Sequence, residues 1–437
     1  MTDAIASELE SRTVVKLFWR LLPFLFILYI VAYLDRINVS FAALEMRGQL
    51  HLSDAVYGRA AGMFFAGYFF FQLPSNLVLD RVGVRRWIAV LMVIWGLVSA
   101  ATILVRGPMS FYVLRFSLGA AEAGFFPGII LYMKRWFPAH ARARAVAWFM
   151  TANPLAGVVG SPISGALLGL HGAGLEGWQW LFVMEAVPAV ILGAAVYWVL
   201  PETPETAGWL TDEERSHLLT LLAREPKEDR GMNKRDLLAV ILSPRLWILS
   251  LVYFGLPACM YGVTLWLPIA IHSLSGVGFF ATGLIATLPF IATAIAMVLI
   301  GMRSDRARER RWHIALPAFI GAVALAAAAY TRQPFIVVAG MTIGMMGAES
   351  MTGPFWAMAT VQVGASAAAA IAVINSIANL GGYFGPDIIG LLRSGNGEFH
   401  GLLAIGITLA ISGALSLVTA MTPEIRARSP ESARTVQ

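Results

Sequence analysis

Long apolar runs alternate along this chain with short polar connections rich in arginine. Each run is about 20 residues or longer, enough to cross ~30 Å of hydrocarbon as a helix. Twelve such runs are present, and in the first half they cover residues 18–42, 56–79, 86–105, 109–133, 143–170 and 178–200. In the second half they cover 245–272, 279–301, 312–330, 334–362, 367–392 and 399–421. The pattern predicts an all-α integral membrane protein with twelve transmembrane helices. A charged stretch separates the halves, dividing the chain into a bundle over 1–200, a linker over 201–243, a bundle over 244–422 and a tail over 423–437 that is expected to lack order. Within the linker, Thr211-Asp-Glu-Glu-Arg215 predicts a short surface helix capped by Thr211.

Composition agrees: 58% hydrophobic residues, 13% charged residues and a mean hydropathy of +0.70 exclude a water-soluble globule. The net charge of +6 is not a nucleic-acid signal: counting residues within about four positions of a span end with the adjoining loop, 25 of the 32 Lys and Arg residues fall at the ends and in the even-numbered loops, against five in the odd-numbered loops. That asymmetry predicts that both termini face the cytoplasm. The tenth loop carries no basic residue and does not follow the rule. The first apolar run is too long for a cleaved leader and contains Asp35 and Arg36, so it is expected to stay as the first span. A single cysteine, Cys259, excludes an intramolecular disulfide and offers no metal site. Seven scattered histidines, no HExxH and no nucleophile–base set argue against an enzyme. Gly165/Gly169 and Gly340/Gly344 have the spacing of closely packed membrane helices.

The candidate chemistry lies in charges placed inside apolar runs. Arg115 and Glu122 are seven residues apart in the fourth run and so share one helix face. A charge at bilayer depth costs several kcal/mol unless it is paired or faces a wet cavity, so this face is expected to look into a pathway. Asp35 and Arg36 add an adjacent pair in the first run; neighbours on a helix point ~100° apart and need not serve the same cavity. Asn375 and Asn379 share a face of the eleventh run and suit either substrate contact or helix–helix bonding. Tyr261 and Trp266 in the seventh run and Trp356 in the tenth are candidate pocket walls, though such rings more often pack or mark the interface. Glu349, in Gly347-Ala-Glu-Ser350, reads either as an extra protonation or selectivity group or as a residue near the span end. Glu185 is expected to pair structurally with a neighbouring helix. Pro127, Pro154 and Pro386 are expected to kink or break their helices.

An internal repeat joins the halves. Leu79-Asp-Arg-Val-Gly-Val-Arg-Arg86 follows the second run, and Gly301-Met-Arg-Ser-Asp-Arg-Ala-Arg-Glu-Arg-Arg311 follows the eighth. Asp80, Arg81 and Arg86 in one copy and Asp305 and Arg306 in the other are candidate cytoplasmic gate residues. Two pseudo-symmetric six-helix bundles built on such a repeat form the architecture of alternating-access transporters.

The Asp-Arg-x-Gly-x-Arg-Arg loop resembles the signature of the major facilitator superfamily, with Asn76 where a glycine is usual. More narrowly, four stretches resemble the anion:cation symporter family, which includes tartrate, sugar-acid and aromatic-acid permeases. They are Tyr33-Leu-Asp-Arg-Ile-Asn-Val-Ser40, Arg115-x6-Glu122-Ala-Gly-Phe-Phe-Pro127, Gly177-Trp-Gln-Trp-Leu-Phe182 and Asn375-Ser-Ile-Ala-Asn-Leu-Gly-Gly382. The resemblance, which runs from about Tyr29 to Thr422, implies proton-driven uptake of an organic anion across a bacterial inner membrane. It assigns Asp35 and Glu122 as protonation carboxylates and Arg36 and Arg115 as their charged partners. Tyr68, Gln72, Asn375 and Asn379 match polar cavity positions. Pro154 falls where sugar-acid relatives offer an amide, and Glu349 where relatives commonly carry an aromatic. The first departure disfavours a polyol acid and leaves aromatic or smaller carboxylates open.

Such coupling needs an anchor that stays charged, which a guanidinium is, and a carboxylate that competes for it until neutralised. Desolvation favours the neutral carboxylate and a nearby Arg the charged one, a balance that suits proton exchange. The expectation is that protonation of Glu122 frees Arg115 for the substrate. The expected partners are a small organic anion, protons and the bilayer, with no nucleic acid, no cofactor beyond the proton gradient, and a monomeric chain. A proton-independent uniporter or exchanger, and a transporter-like sensor without turnover, remain as alternatives.

Overall fold

The computed structural model describes residues 2–224, 242–363, 367–393 and 398–419; the predicted tail and much of the linker lie outside them. The described chain is helical throughout, with one isolated bridge between Gly172 and Leu175. Helices α1 (Thr2–Gln49), α2 (Asp54–Val82) and α3 (Val84–Ala100) open it. They are followed by α4 (Pro108–Glu122), α5 (Phe125–Trp136), α6 (Ala139–Met150), α7 (Ala152–Leu167) and α8 (Gly177–Val199). After the short α9 (Asp212–Ala223) come α10 (Pro244–Ser275), α11 (Phe279–Ala307), α12 (Arg311–Ala329), α13 (Pro334–Ser350), α14 (Thr352–Val363), α15 (Ala367–Leu392) and α16 (Gly401–Val418). Ten stretches among the described residues are long and apolar enough to span a membrane. The pair α6–α7 and α15 complete the predicted twelve.

Helix α1 begins well before its apolar run: the polar start of the chain continues the same helix, so the first span is longer than the hydropathy pattern indicates.

Three spans are broken in the same way. A proline cannot donate to the carbonyl four residues earlier, so that carbonyl loses its helical partner. Pro127 deprives Ala123, and α4 gives way to α5 there; Pro154 deprives Met150, where α6 ends; Pro354 deprives Ser350, where α13 ends. At the last two, Thr151 and Met351 bond back to the carbonyls of Trp148 and Ala348, tightening the final turn. Pro127 and Pro154 thus break helices as expected, and Pro354 is a break the sequence reading did not single out. Pro386 does not break its helix, since α15 runs through it. Non-helical backbone at membrane depth is tolerated only where it is buried in protein or beside a wet cavity, and these breaks need one or the other around them.

The helices form two compact units. Among the described residues, the first comprises 2–52, 63–224 and 279–287, and the second comprises 53–62, 242–278, 288–363, 367–393 and 398–419. In the first, Gly165 sits against the Phe279 carbonyl, whereas Gly169 meets no other helix, so that GxxxG pair is only half used. In the second, Gly340 and Gly344 seat α13 against Ala324 and Leu325 of α12. The start of α2 is tied into the second unit by Arg393–Asp54 (3.0 Å), Arg59–Asp387 (3.4 Å) and a Tyr57 hydroxyl donated to the Leu265 carbonyl at 2.6 Å.

The surface helix forms as predicted. Thr211 Oγ1 accepts from the Glu214 amide at 3.2 Å while Glu214 accepts from the Thr211 amide at 3.0 Å, a reciprocal cap for α9. The same carboxylate accepts from Lys16 Nζ at 2.7 Å, with Arg12 Nε at 3.6 Å, clamping α9 to α1. Desolvation pushes Glu214 toward the neutral form, but the hydrogen bonds from Lys16 and Thr211 and the charges of Lys16 and Arg12 outweigh it and hold the carboxyl below its usual range. A group depressed in the folded state contributes stability above its unfolded value, and that contribution is lost as pH falls through the folded value. Acidification below about pH 4 is therefore expected to release α9, and Glu214→Gln to release it at neutral pH. The Trp136–Trp209 stack, with centroids 5.7 Å apart, gives the fluorescence signal that checks this.

Candidate functional site

The first unit buries an array of charge at the level where α1, α3 and α4 meet. On α1, Asp35 and Arg36 point to different neighbours, as adjacent positions on a helix must. Asp35 is fully buried and accepts from Ser99 Oγ at 2.7 Å, Trp95 Nε1 at 3.1 Å and Asn38 Nδ2 at 3.4 Å. Its bonded partners in this set are neutral donors on α3 and one turn along α1. Arg36 turns instead to α4, where its Nε donates to Glu122 Oε2 at 2.8 Å.

That ion pair gives Glu122 a partner on another helix, which the spacing along α4 did not indicate. Arg36 approaches Glu122 from α1 and reaches it. Arg115 is buried beside the pair and acts on Glu122 electrostatically. Its guanidinium carbon lies 5.1 Å from the centroid of the Phe64 ring, and that of Arg36 lies 5.5 Å from the same ring and 5.3 Å from Tyr68. Two guanidiniums on α1 and α4 thus flank one aromatic of α2, each within cation–π range.

The second oxygen of the carboxylate, Glu122 Oε1, is buried and has no hydrogen-bond partner among the described residues. Gln72 Oε1, one turn past Tyr68 on α2, is likewise buried without a partner among them. A buried acceptor without a donor costs about 1–3 kcal/mol, and the cost is relieved by a proton, a water or a ligand. The cluster therefore combines fixed positive charge with acceptors that lack donors.

Close approach of the helices makes this geometry possible. A Cβ on Gly119 of α4 would run into the Phe64 carbonyl, and one on Gly67 of α2 into the Phe116 carbonyl. The two glycines let α2 and α4 touch backbone to backbone, which sets Phe64 against Arg115.

Glu185 pairs structurally as expected, accepting from Ser164 Oγ of α7 at 2.6 Å. The second unit holds the remaining candidates. Asn375 and Asn379 are half-buried on α15, and neither makes a side-chain hydrogen bond among the described residues, so they do not bond α15 to a neighbour. Trp266 is no pocket wall: it is fully buried, donates to the Pro386 carbonyl at 3.1 Å and packs edge-on to Tyr57. Trp356 is half-buried and donates to the Tyr253 hydroxyl at 3.1 Å, with Tyr253 stacked on Phe355 at 4.6 Å. Tyr261 is half-buried on α10.

Among the loop candidates, the side chain of Asp80 lies outside the described residues, and Arg81 and Arg86 are exposed without ion pairs among them. The sequence reading passed over Arg85, which pairs with Glu202 at 3.4 Å and covers the Tyr197 ring at 4.8 Å. Asp305 pairs not with its neighbour Arg306, which is exposed, but with Arg310 at 2.6 Å. The left-handed backbone at Arg308 (φ 50°) ends α11 and brings Arg310 back to it.

Comparison with known proteins agrees with this architecture. Residues 25–386 match the family model described as Major Facilitator Superfamily. A protein of Agrobacterium vitis named "Putative tartrate transporter" is 46% identical over 419 residues, covering 95% of this chain and 93% of that one. A "Quinolone resistance transporter" of Acinetobacter baumannii is 38% identical over 402 residues, covering 92% of each. The crystal structure of a bacterial homologue of the human lysosomal transporter Spinster superposes with a TM-score of 0.77 at 19% identity, over 94% of this chain and 98% of that one. That likeness concerns the fold.

Proposed function

The chain belongs to the Major Facilitator Superfamily, and on that footing we propose that it is a proton-coupled carrier of an organic carboxylate anion, working by alternating access with both termini in the cytoplasm of a bacterial inner membrane. It is a transporter and not an enzyme. The observation that carries the finer reading is the Arg36–Glu122 ion pair buried beside Arg115. With Glu122 ionised, Arg36 is engaged by a carboxylate of the protein itself, and Arg115 interacts electrostatically with the same carboxylate. A proton on Glu122 removes that competitor and leaves Arg36 and Arg115 for the carboxylate of the substrate, to which a guanidinium binds bidentately. The anion is then held tightly only when the proton is present, which is the condition for symport. Asp35, held by neutral donors, supplies a second exchangeable proton at the same depth. Tyr68 and Gln72 would orient the bound anion.

The relative named for tartrate supports an organic acid, and Pro154 in place of an amide favours aromatic or smaller carboxylates over polyol acids. The relative named for quinolone resistance makes direction worth measuring as well. The test is uptake into proteoliposomes of labelled tartrate, a sugar acid, a benzoate-like acid and a phthalate-like acid, with and without an inward proton gradient. Accumulation of at least one acid above its external concentration, and only with the gradient, is the expected result. Equilibration without accumulation would leave a uniporter or exchanger; no movement of any acid would favour a sensor or another substrate class.

A further inference from the structure

The internal repeat extends from the loops into the membrane. In the fourth span, Glu122 stands five residues before Pro127, and the helix breaks just after the glutamate. In the tenth span, which holds the matching place in the second half, Glu349 stands five residues before Pro354, and again the helix breaks just after it. The same local device, a carboxylate on the last turn of a half-helix whose terminal carbonyl a proline has left open, thus occurs once in each unit.

The copies differ in what surrounds the carboxylate. Seven residues before Glu122 is Arg115, whereas seven before Glu349 is Thr342, whose hydroxyl is spent on the Val338 carbonyl at 2.7 Å. Glu122 has Arg36 at 2.8 Å; Glu349 is 9% exposed and has neither an ion pair nor a side-chain hydrogen bond among the described residues. Facing it from α10 are Tyr253 and Cys259, which interact with it electrostatically and bring no positive charge. Helix α12, packed against α13 through Pro317 and Gly321 at Gly347, is apolar or small from Ile314 to Ala329. Ser350, next in the chain, is fully buried with its hydroxyl unpartnered among the described residues. A buried carboxylate in such surroundings must bind a cation or carry a proton, because an uncompensated charge there is far too costly.

We propose that Glu349 is the second unit's counterpart of Glu122: a proton-binding group without an anion anchor, which adds a proton to each transport cycle. The division of labour follows from the two copies. The first pairs its carboxylate with arginine and so links the proton to the anion; the second binds the proton alone and raises the number moved per anion. This rests on the proton-coupled reading above.

The test is the coupling ratio, measured from the substrate gradient that just balances a set pH gradient in proteoliposomes held at zero membrane potential. One pH unit balances about a tenfold substrate gradient for each coupled proton. In Glu349→Gln the balancing gradient is expected to fall about tenfold from that of the unaltered protein, while accumulation persists through the remaining protons. Glu349→Asp, which keeps the acid, is expected to retain the full ratio. A Glu349→Gln protein with a slower rate and an unchanged ratio would overturn the proposal and make the residue structural. If the unaltered protein shows no proton-driven accumulation, it is the underlying reading that fails. Should Glu349→Gln not fold, Glu349→Met, which matches the length and apolar setting, serves for the same measurement.

Discussion

Glu122→Gln is expected to abolish concentrative uptake while leaving exchange of the labelled anion across the membrane intact. The glutamine keeps the shape of the side chain and can still accept from Arg36 Nε, so the packing of α1 on α4 should survive. What it cannot do is alternate between a charged competitor for Arg36 and a neutral bystander. Anion affinity then no longer depends on the proton, and the two flows separate. In proteoliposomes with an inward gradient of one pH unit, the accumulation supported by this carboxylate, about tenfold per coupled proton, should collapse to equilibration. Counterflow, in which unlabelled anion inside draws labelled anion in, should persist. Full accumulation in Glu122→Gln would remove this carboxylate from the coupling role and leave Asp35 and Glu349. Loss of counterflow as well would mean that the residue is needed for the conformational cycle itself.

The second large effect is structural. Gly119→Leu should prevent the first unit from assembling, because even its Cβ meets the Phe64 carbonyl oxygen across the α2–α4 crossing. Backbone cannot yield as a flexible side chain does, so the cost should exceed the ~1–3 kcal/mol of ordinary overpacking. Relief would require α2 and α4 to separate, which also pulls Phe64 and Tyr68 from the two arginines. The expected observation is loss of a monodisperse species in detergent gel filtration, with any residual protein inactive. Gly107→Ala, at a position with open space around its Cα, is the control and should behave as the unaltered chain does. A well-behaved, active Gly119→Leu protein would show that the crossing does not fix the site.

Much of this could be read from sequence, and the reasons are local. A run of apolar residues must be helical in a bilayer, since no other open structure satisfies its backbone; hence the twelve spans and the charged stretch between the halves. Thr211 followed by Glu214 is enough to start α9, and the cap is where the spacing puts it. Asp35, Arg36, Arg115 and Glu122 stood out because a charge inside an apolar run is costly and so must be used. The Glu-x4-Pro spacing of Glu122 and Glu349 was also present in the letters, although its meaning needed the two helix breaks beside it.

Pairing was not legible, because partners are chosen between helices that the sequence does not place side by side. Spacing put Arg115 and Glu122 on one face, yet Arg36 arrives from α1 and takes the carboxylate. Asp305 bypasses its neighbour for Arg310 because the chain reverses at Arg308. Pro386 is tolerated within α15 while Pro127, Pro154 and Pro354 break their spans, an outcome that tertiary packing decides and the residue alone does not. Sequence by itself determined which segments enter the membrane and which charged groups go with them, since both follow from the cost of exposing polar groups to hydrocarbon. Tertiary structure alone decided which charge meets which, because that depends on helix crossings set by contacts such as Gly119 on Phe64, far apart along the chain.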